Sequence, residues 1–302
     1  MSAIIQVRNL TKSFNEIHAV DDLNFTVNEK EVYGFLGQNG AGKSTTIRML
    51  LTLIRPSAGE IEIFGLDLYK HRSEILRRTG AIIEKPDLYK YLTALENMKL
   101  FAAYSGIKLS ESKLMEQLHL VGLAERAQSK VKTFSQGMKQ RLGIAVALVH
   151  DPDLIILDEP MNGLDPQGIA DVRNLINHLS KERGKTIFIS SHLLTEMEQV
   201  ADSLLIIHKG KGIVEGKMNA LLNPDLNDVE LEADSAPDVL LKLKNTKWGN
   251  DLKLVNNKKI LLHINKNEIP AFIHVVGQLG LPVYSIRQKN SLEDYFLSLT
   301  AH

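Results

Sequence analysis

Over the first 220 residues, short runs rich in Val, Ile and Leu alternate with stretches of helical spacing. Ile4–Leu10 and Leu23–Val27 read as a small antiparallel sheet. Glu31–Leu36 is an apolar strand that runs into a Gly-rich turn, and helical spacing follows from about Lys43 to Leu53. Gly80–Ile83, Leu154–Leu157, Thr186–Ser190 and Ser203–His208 read as buried strands. Short β-rich runs alternating with helical patterns predict an α/β domain with a mainly parallel sheet. Between Thr93 and His150 the pattern changes. Thr93–Tyr104, Ser110–Val121 and Ser135–Val149 are all helical in spacing, which predicts a helical subdomain, about residues 86–150, inserted into the core.

The turn-forming cluster Asn223-Pro224-Asp225 marks a boundary. Beyond it the order reads strand (Asp228–Glu232), helix (Pro237–Leu243), strand (Leu252–Val255), strand (Lys259–Ile264), helix (Glu268–Leu279), strand (Val283–Gln288). This βαββαβ order is that of a small ferredoxin-like α+β unit. The expected division is residues 1–222 and 223–302, and a length of 302 residues suits two domains.

Composition narrows the function classes. Lys+Arg and Asp+Glu both number 36, so the net charge is zero and no whole-chain basic footprint for nucleic acid exists; no nucleic-acid partner is expected. With no cysteine, disulfides, zinc–thiolate sites and thiol nucleophiles are excluded. The N-terminus lacks an apolar signal core, and runs such as Leu142–Val149 are far shorter than the ~18 residues of a membrane helix. A cytoplasmic chain is expected. If it works at a membrane, another chain supplies the span.

Gly37-Gln38-Asn39-Gly40-Ala41-Gly42-Lys43-Ser44 fits G-x-x-x-x-G-K-[ST], a loop whose backbone N–H groups converge on phosphate oxygens. It follows a strand and opens a helix, so the positive end of the helix dipole faces the anion. The candidate phosphate-binding residues are Gly37, Asn39, Gly40, Ala41, Gly42, Lys43, Ser44 and Thr45. Lys43 would reach the β- and γ-phosphates, and the Ser44 hydroxyl would bind Mg²⁺.

Leu154-Ile155-Ile156-Leu157-Asp158-Glu159 is an apolar run ending in two acids. A strand buried on both faces delivers Asp158 to its C-terminal edge, where open α/β sheets bind ligands. Asp158 can hold Mg²⁺, and Glu159 could accept a proton from, or orient, an attacking water.

With these motifs in this order, residues 4–220 resemble the ATPase subunits of ATP-binding-cassette (ABC) transporters. Thr133-Phe134-Ser135-Gln136-Gly137-Met138-Lys139-Gln140-Arg141 resembles the family signature, departing from L-S-G-G-Q at Phe134, Gln136 and Met138. The resemblance implies that Ser135 and Gly137 cap a γ-phosphate held by a second cassette. It also implies a P-loop NTPase fold, ATP and Mg²⁺ as ligands, a homodimer or paired cassette, and an integral membrane permease partner on whose inner face the subunit sits. Asn162-Gly163-Leu164-Asp165-Pro166 resembles the dimer-contact loop, with Asp165 its acid; Asp165 also suits an N-cap with Pro at N1. Ser190-Ser191-His192 resembles the switch-histidine segment, which places His192 at the γ-phosphate. Phe14 lies where the family stacks an aromatic ring on adenine, with a core ring in the small sheet as the competing reading.

Glu84 stands where the family usually has Gln beside the metal-bound water. The resemblance thus implies a third acid around Mg²⁺ with Asp158 and Glu159, Glu84 serving both as ligand and in catalysis. The Glu form is similar to a subgroup serving bacitracin-type resistance and lantibiotic immunity. The implied function is ATP hydrolysis that powers export of an antimicrobial peptide or similar amphipathic compound. The competing readings are a cassette for another substrate (drug, lipid or ion) and a non-transport cassette acting on ribosomes or DNA. Asn265-Lys266-Asn267-Glu268 is superficially similar to the guanine-reading N-K-x-D but ends in Glu outside the nucleotide domain, and reads as a turn and helix start.

Overall fold

The computed structural model describes residues 2–222 and 226–289 and divides into two compact units, Met1–Lys217 and Met218–His302. The division falls five residues before the expected one; the turn at Asn223–Asp225 lies outside the described residues.

The first unit is built on a six-stranded sheet. Its spatial order is Lys211–Lys217, Ser203–His208, Val32–Leu36, Thr186–Ser191, Leu154–Asp158, Thr79–Ile82. The first pair is antiparallel and every other pair parallel. Val32–Leu36, Leu154–Asp158 and Thr186–Ser191 are buried at every position, as strands covered on both faces must be. A second, antiparallel sheet runs Ile17–Asn28, Ala3–Phe14, Ala58–Ile63, Leu66–Asp67. Phe25, from this sheet, packs on Tyr33, Phe35 and Phe188 of the large sheet, with ring centroids 5.9–6.0 Å apart. The two sheets therefore share one core.

The helix after the Gly-rich turn spans Lys43–Leu50, shorter than its spacing predicts, because the chain turns away through Thr52 at φ +57°. The inserted helices are Ala94–Tyr104, Glu111–Leu120 and Gln136–Ala147. Each begins one residue later than predicted because Thr93, Ser110 and Ser135 are N-caps rather than helical residues. Thr93 forms a full capping box, its N–H donating to Glu96 Oε2 at 2.7 Å. That hydrogen bond holds the Glu96 carboxyl below the ordinary carboxylate range.

The second unit has a four-stranded antiparallel sheet in the order Leu252–Asn256, Lys259–Asn265, Leu226–Ala233, Val283–Lys289. Counted along the unit this is 2-3-1-4, the arrangement in which the first and last strands of βαββαβ pair beside each other. The helices Ala236–Leu243 and Ile269–Gln278 bury Val239, Leu243, Phe272 and Val276 against Val229, Leu231, Ile260, Leu262 and Ile264. Trp248 meets Phe272 edge-on at 5.1 Å. Lys266–Glu268 is a short 3₁₀ turn capped by Asn265, which accepts from the Asn267 N–H at 3.1 Å.

Candidate functional site

The parallel strands of the large sheet end together, and their register decides which side chains meet. Asp158 lies opposite Ser190, and Phe35 and Leu36 lie opposite Ser190 and Ser191. One sheet edge thus carries the Gly-rich loop, the two acids and the Ser190–His192 segment side by side.

The loop leads into Lys43–Leu50 without a side-chain cap: Gly42 is the N-cap residue, at φ +110°. A Cβ there would lie 2.5 Å from the Ala19 carbonyl oxygen, so only glycine fits. The first-turn N–H groups of an α-helix have no intrahelical acceptor, so an uncapped start leaves them available to an anion. They face a cavity of about 220 Å³ lined by Ala19, Asn39, Gly40, Gly42, Lys43, Ser44, Thr45, Glu159 and Asn162. Lys43 is buried. Its Nζ donates to the Gly37 carbonyl at 2.6 Å and lies 3.2 Å from Glu159 Oε1.

Asp158 is 1% exposed and accepts a 2.6 Å hydrogen bond from Ser190 Oγ on Oδ1. Its Oδ2 is buried with no partner. An unpaired, buried carboxylate oxygen is costly unless a cation or donor meets it, which is the donor a magnesium ion requires. Ser190 Oγ also accepts from the Glu159 N–H at 2.9 Å, so one hydroxyl orients both acids. Glu159 sits at φ +49°, just past its strand. Its Oε2 accepts from His192 at 2.6 Å, which fixes the proton on Nδ1 because a carboxylate cannot donate.

Asp165 accepts from the Gly168 N–H at 3.0 Å and caps the helix Pro166–Lys181, with Pro at N1. Ser135 accepts from the Met138 N–H at 3.2 Å and caps the signature helix, with Gly137 in its first turn. Phe14 is 48% exposed at the tip of the first hairpin, not a core ring, and Lys12 Nζ lies 4.8 Å from its centroid. Gly37 and Ala41 belong to the loop but do not line the cavity.

Glu84 does not join the other acids. Thr79–Ile82 runs parallel to Leu154–Asp158 with Ile82 opposite Leu157, so Glu84 and Glu159 follow their strands at matching positions, both with positive φ. Their side chains part. Glu84 is 62% exposed and pairs with Arg48 Nη2 at 2.5 Å, whereas Glu159 turns to Lys43 and His192. Among the described residues no group of three acids or histidines is arranged to hold a metal ion. The expected three-acid ring is corrected accordingly: like charges repel, and the guanidinium of Arg48 gives Glu84 a better partner than two carboxylates would.

Asn162 and Ser190 were named in the sequence only as members of their motifs, with no role of their own, and Glu196 was not singled out. Ser190 carried a faint signal, as the polar end of an apolar strand. Glu196 accepts from Ser191 Oγ at 2.7 Å, and burial pushes its carboxyl above the ordinary range, with Glu159 adding to the rise.

Comparisons with known proteins show the family and the fold. The pattern described as "ABC transporter" matches residues 20–162. The bacitracin transport ATP-binding protein BcrA of Bacillus licheniformis is 43% identical over 300 residues, 99% of this chain and 98% of that protein. The chain belongs to the ABC transporter ATP-binding proteins. It is an ATPase of that family with the α/β cassette fold. The lantibiotic transport ATP-binding protein SrtF of Streptococcus pyogenes is 43% identical over 212 residues, 70% of this chain and 90% of that protein. A dimeric, post-hydrolysis ATP-binding cassette bound to ADP and Pi superposes with a TM-score of 0.64 at 27% identity, covering 71% of this chain and 98% of that one. Among the described residues of this ABC ATPase, no helix is long and apolar enough to cross a membrane.

Proposed function

We propose that this ATPase powers export of a peptide antibiotic of the bacitracin or lantibiotic kind through a separate membrane permease, on whose inner face it sits. The observation that carries this reading is the likeness to a bacitracin transport subunit along 99% of the chain, second unit included. Two cassettes would pair head to tail, each nucleotide lying between the Gly-rich loop of one and the signature helix of the other.

The residues supply a mechanism. The N–H groups of Gly40 to Thr45 and the Lys43 ammonium bind the phosphates, and Phe14 stacks on adenine. Lys43 exchanges the Gly37 carbonyl and Glu159 for phosphate oxygens, which frees Glu159 Oε1. Glu159 then holds the attacking water and takes its proton, while His192, tied through Nδ1, keeps the carboxylate aimed. Ser135 and Gly137 bind the γ-phosphate of the opposite site, and Asp165 holds the contact loop. Ser44 and Asp158 Oδ2 would hold Mg²⁺, which when bound offsets the negative charge on the phosphates. Glu84, released from Arg48, would link the site to the helical subdomain, on which the permease would dock.

The test is a host strain carrying the permease together with this chain, either unaltered or as Lys43→Ala. The unaltered pair should protect against bacitracin or a lantibiotic and Lys43→Ala should not. Equal sensitivity of both strains to these peptides, with ATP-dependent efflux of an unrelated compound, would overturn the substrate assignment.

A further inference from the structure

The signature helix and the loop behind Glu159 are joined by one side chain. Gln136 is the first residue of the helix Gln136–Ala147, and its Nε2 donates to the Asn162 carbonyl at 3.2 Å. Asn162 lines the phosphate cavity, and its own N–H donates to the Glu159 carbonyl at 3.1 Å. A continuous path of two hydrogen bonds therefore runs from the start of the signature helix to the backbone of Glu159. The next residue, Gly163, makes room for it. It sits at φ +72°, and a Cβ there would lie 2.9 Å from Gln136 Nε2. Gln136 occupies a position that is glycine in L-S-G-G-Q, and glycine has no side chain with which to donate this bond.

We propose that Gln136 is a positioning residue that fastens the signature helix to the loop carrying Glu159. Closing that helix on the nucleotide of the opposite cassette then sets the backbone from which this cassette's own Glu159 projects. The inference rests on the functional reading above, which gives Glu159 and the signature helix their roles. Gln136 touches neither nucleotide nor water in this scheme and acts through the Asn162 carbonyl.

Three variants of the full chain test it, each assayed for kcat, KM for ATP and melting midpoint. Gln136→Glu keeps the shape but has no N–H and sets a carboxylate against a carbonyl. Gln136→Gly restores the residue of L-S-G-G-Q. Gln136→Lys keeps a donor at similar reach. Gln136→Glu and Gln136→Gly should lower kcat by about fivefold, the rate equivalent of one net hydrogen bond, with KM changed less than about twofold. Gln136→Lys should recover kcat to within about twofold of wild type. All three should stay folded, with the midpoint lowered by no more than a few degrees, because Gln136 is exposed at the start of its helix. The inference is overturned if kcat is unchanged in both Gln136→Glu and Gln136→Gly, if only KM moves, or if Gln136→Lys is as slow as Gln136→Glu. A wild-type chain that turns over ATP and is insensitive to Glu159→Gln would instead overturn the functional reading on which the inference stands.

Discussion

The two units solve the problem of charge in opposite ways. In the first, polar groups are carried into the interior at the strand ends: Lys43, Asp158, Ser190 and Ser191 are all buried. The buried side-chain atoms without a hydrogen-bond partner among the described residues, Asp158 Oδ2 included, all belong to this unit. In the second unit Lys247 and Glu268 pair at the surface at 2.8 Å, the buried Glu230 is met by Lys259 at 2.9 Å, and the interior around Phe272 and Trp248 is apolar. Burying an unsatisfied polar group costs stability, and at Asp158 Oδ2 that cost falls within the candidate site. On the proposed mechanism turnover belongs to the first unit, and the second should be open to disruption with nucleotide binding kept.

The largest expected effect tests the first half of that contrast. Glu159→Gln keeps the size and the hydrogen-bonding shape of the side chain but removes the base. Turnover should fall by roughly a hundred- to ten-thousandfold, the range of general-base catalysis, while ATP binding persists. Single-turnover hydrolysis alongside equilibrium binding of a fluorescent ATP analogue measures both. Hydrolysis within a few-fold of wild type would remove Glu159 from the mechanism.

The second half of the contrast predicts a large change in stability with no change in binding. Phe272→Ala deletes a fully buried ring from the second core, which costs about 3–5 kcal/mol. Thermal unfolding should then show the second unit melting early and the first unit unshifted, with the affinity for ATP unchanged. A loss of nucleotide binding in this variant would show that the units are not energetically separate.

Legibility in the sequence followed the same divide. Leu154-Ile155-Ile156-Leu157-Asp158-Glu159 could be read directly, because an apolar run ending in acids has few other uses, and the foreseen strands of the large sheet and of the second unit were located to within two residues of their ends, whereas Ile4–Leu10 and Leu23–Val27 caught only part of Ala3–Phe14 and Ile17–Asn28. Lys211–Lys217 and Ala58–Ile63 were not foreseen. Lys211–Lys217 is an exposed edge strand whose K-G-I-V-E-G-K gives no clear period, whereas Ala58–Ile63 lies between two strands of the small sheet and offers only the four-residue alternation E-I-E-I, the shortest that marks a strand. What the chain could not reveal is contact across distance. Arg48 and Glu84 are 36 residues apart, Asp158 and Ser190 are 32, and Gln136 and Asn162 are 26. Register and helix rotation set those meetings, and neither is written in local pattern.

The Arg48–Glu84 pair gives a smaller expected effect. Glu84→Gln loses the ionic part of an exposed pair, which is worth little to stability. Basal hydrolysis by the isolated subunit should stay within about tenfold, or ~1.4 kcal/mol in the barrier. Protection of cells carrying the whole transporter should change more, since Ile83–Tyr91 leads into the helical subdomain. Unaltered protection, with an unaltered dependence on magnesium, would make Glu84 a bystander.

The smallest effect concerns Glu196, just behind the site. Burial raises its carboxyl above the ordinary 4.5, so the folded protein holds this proton to higher pH than the unfolded chain does. A group whose folded pKa is raised contributes its stability fully below the unfolded pKa and loses it as pH rises through the folded value. Wild type should therefore forfeit some stability on going from about pH 4.5 toward neutrality, through this residue alone. Glu196→Gln cannot ionise, yet its amide oxygen can still accept from Ser191 Oγ, the bond that Glu196 makes at 2.7 Å. The variant should match wild type at acid pH and become relatively more stable as pH rises, by less than about 1 kcal/mol, a modest increment for a partly buried group. Denaturant midpoints at pH 5 and pH 8 give the comparison. A variant less stable than wild type at pH 8 would mean that the ionised carboxylate is held by Ser191 and His192 more strongly than burial opposes it. Glu196 would then belong with the charged groups of the site rather than with its buried frame.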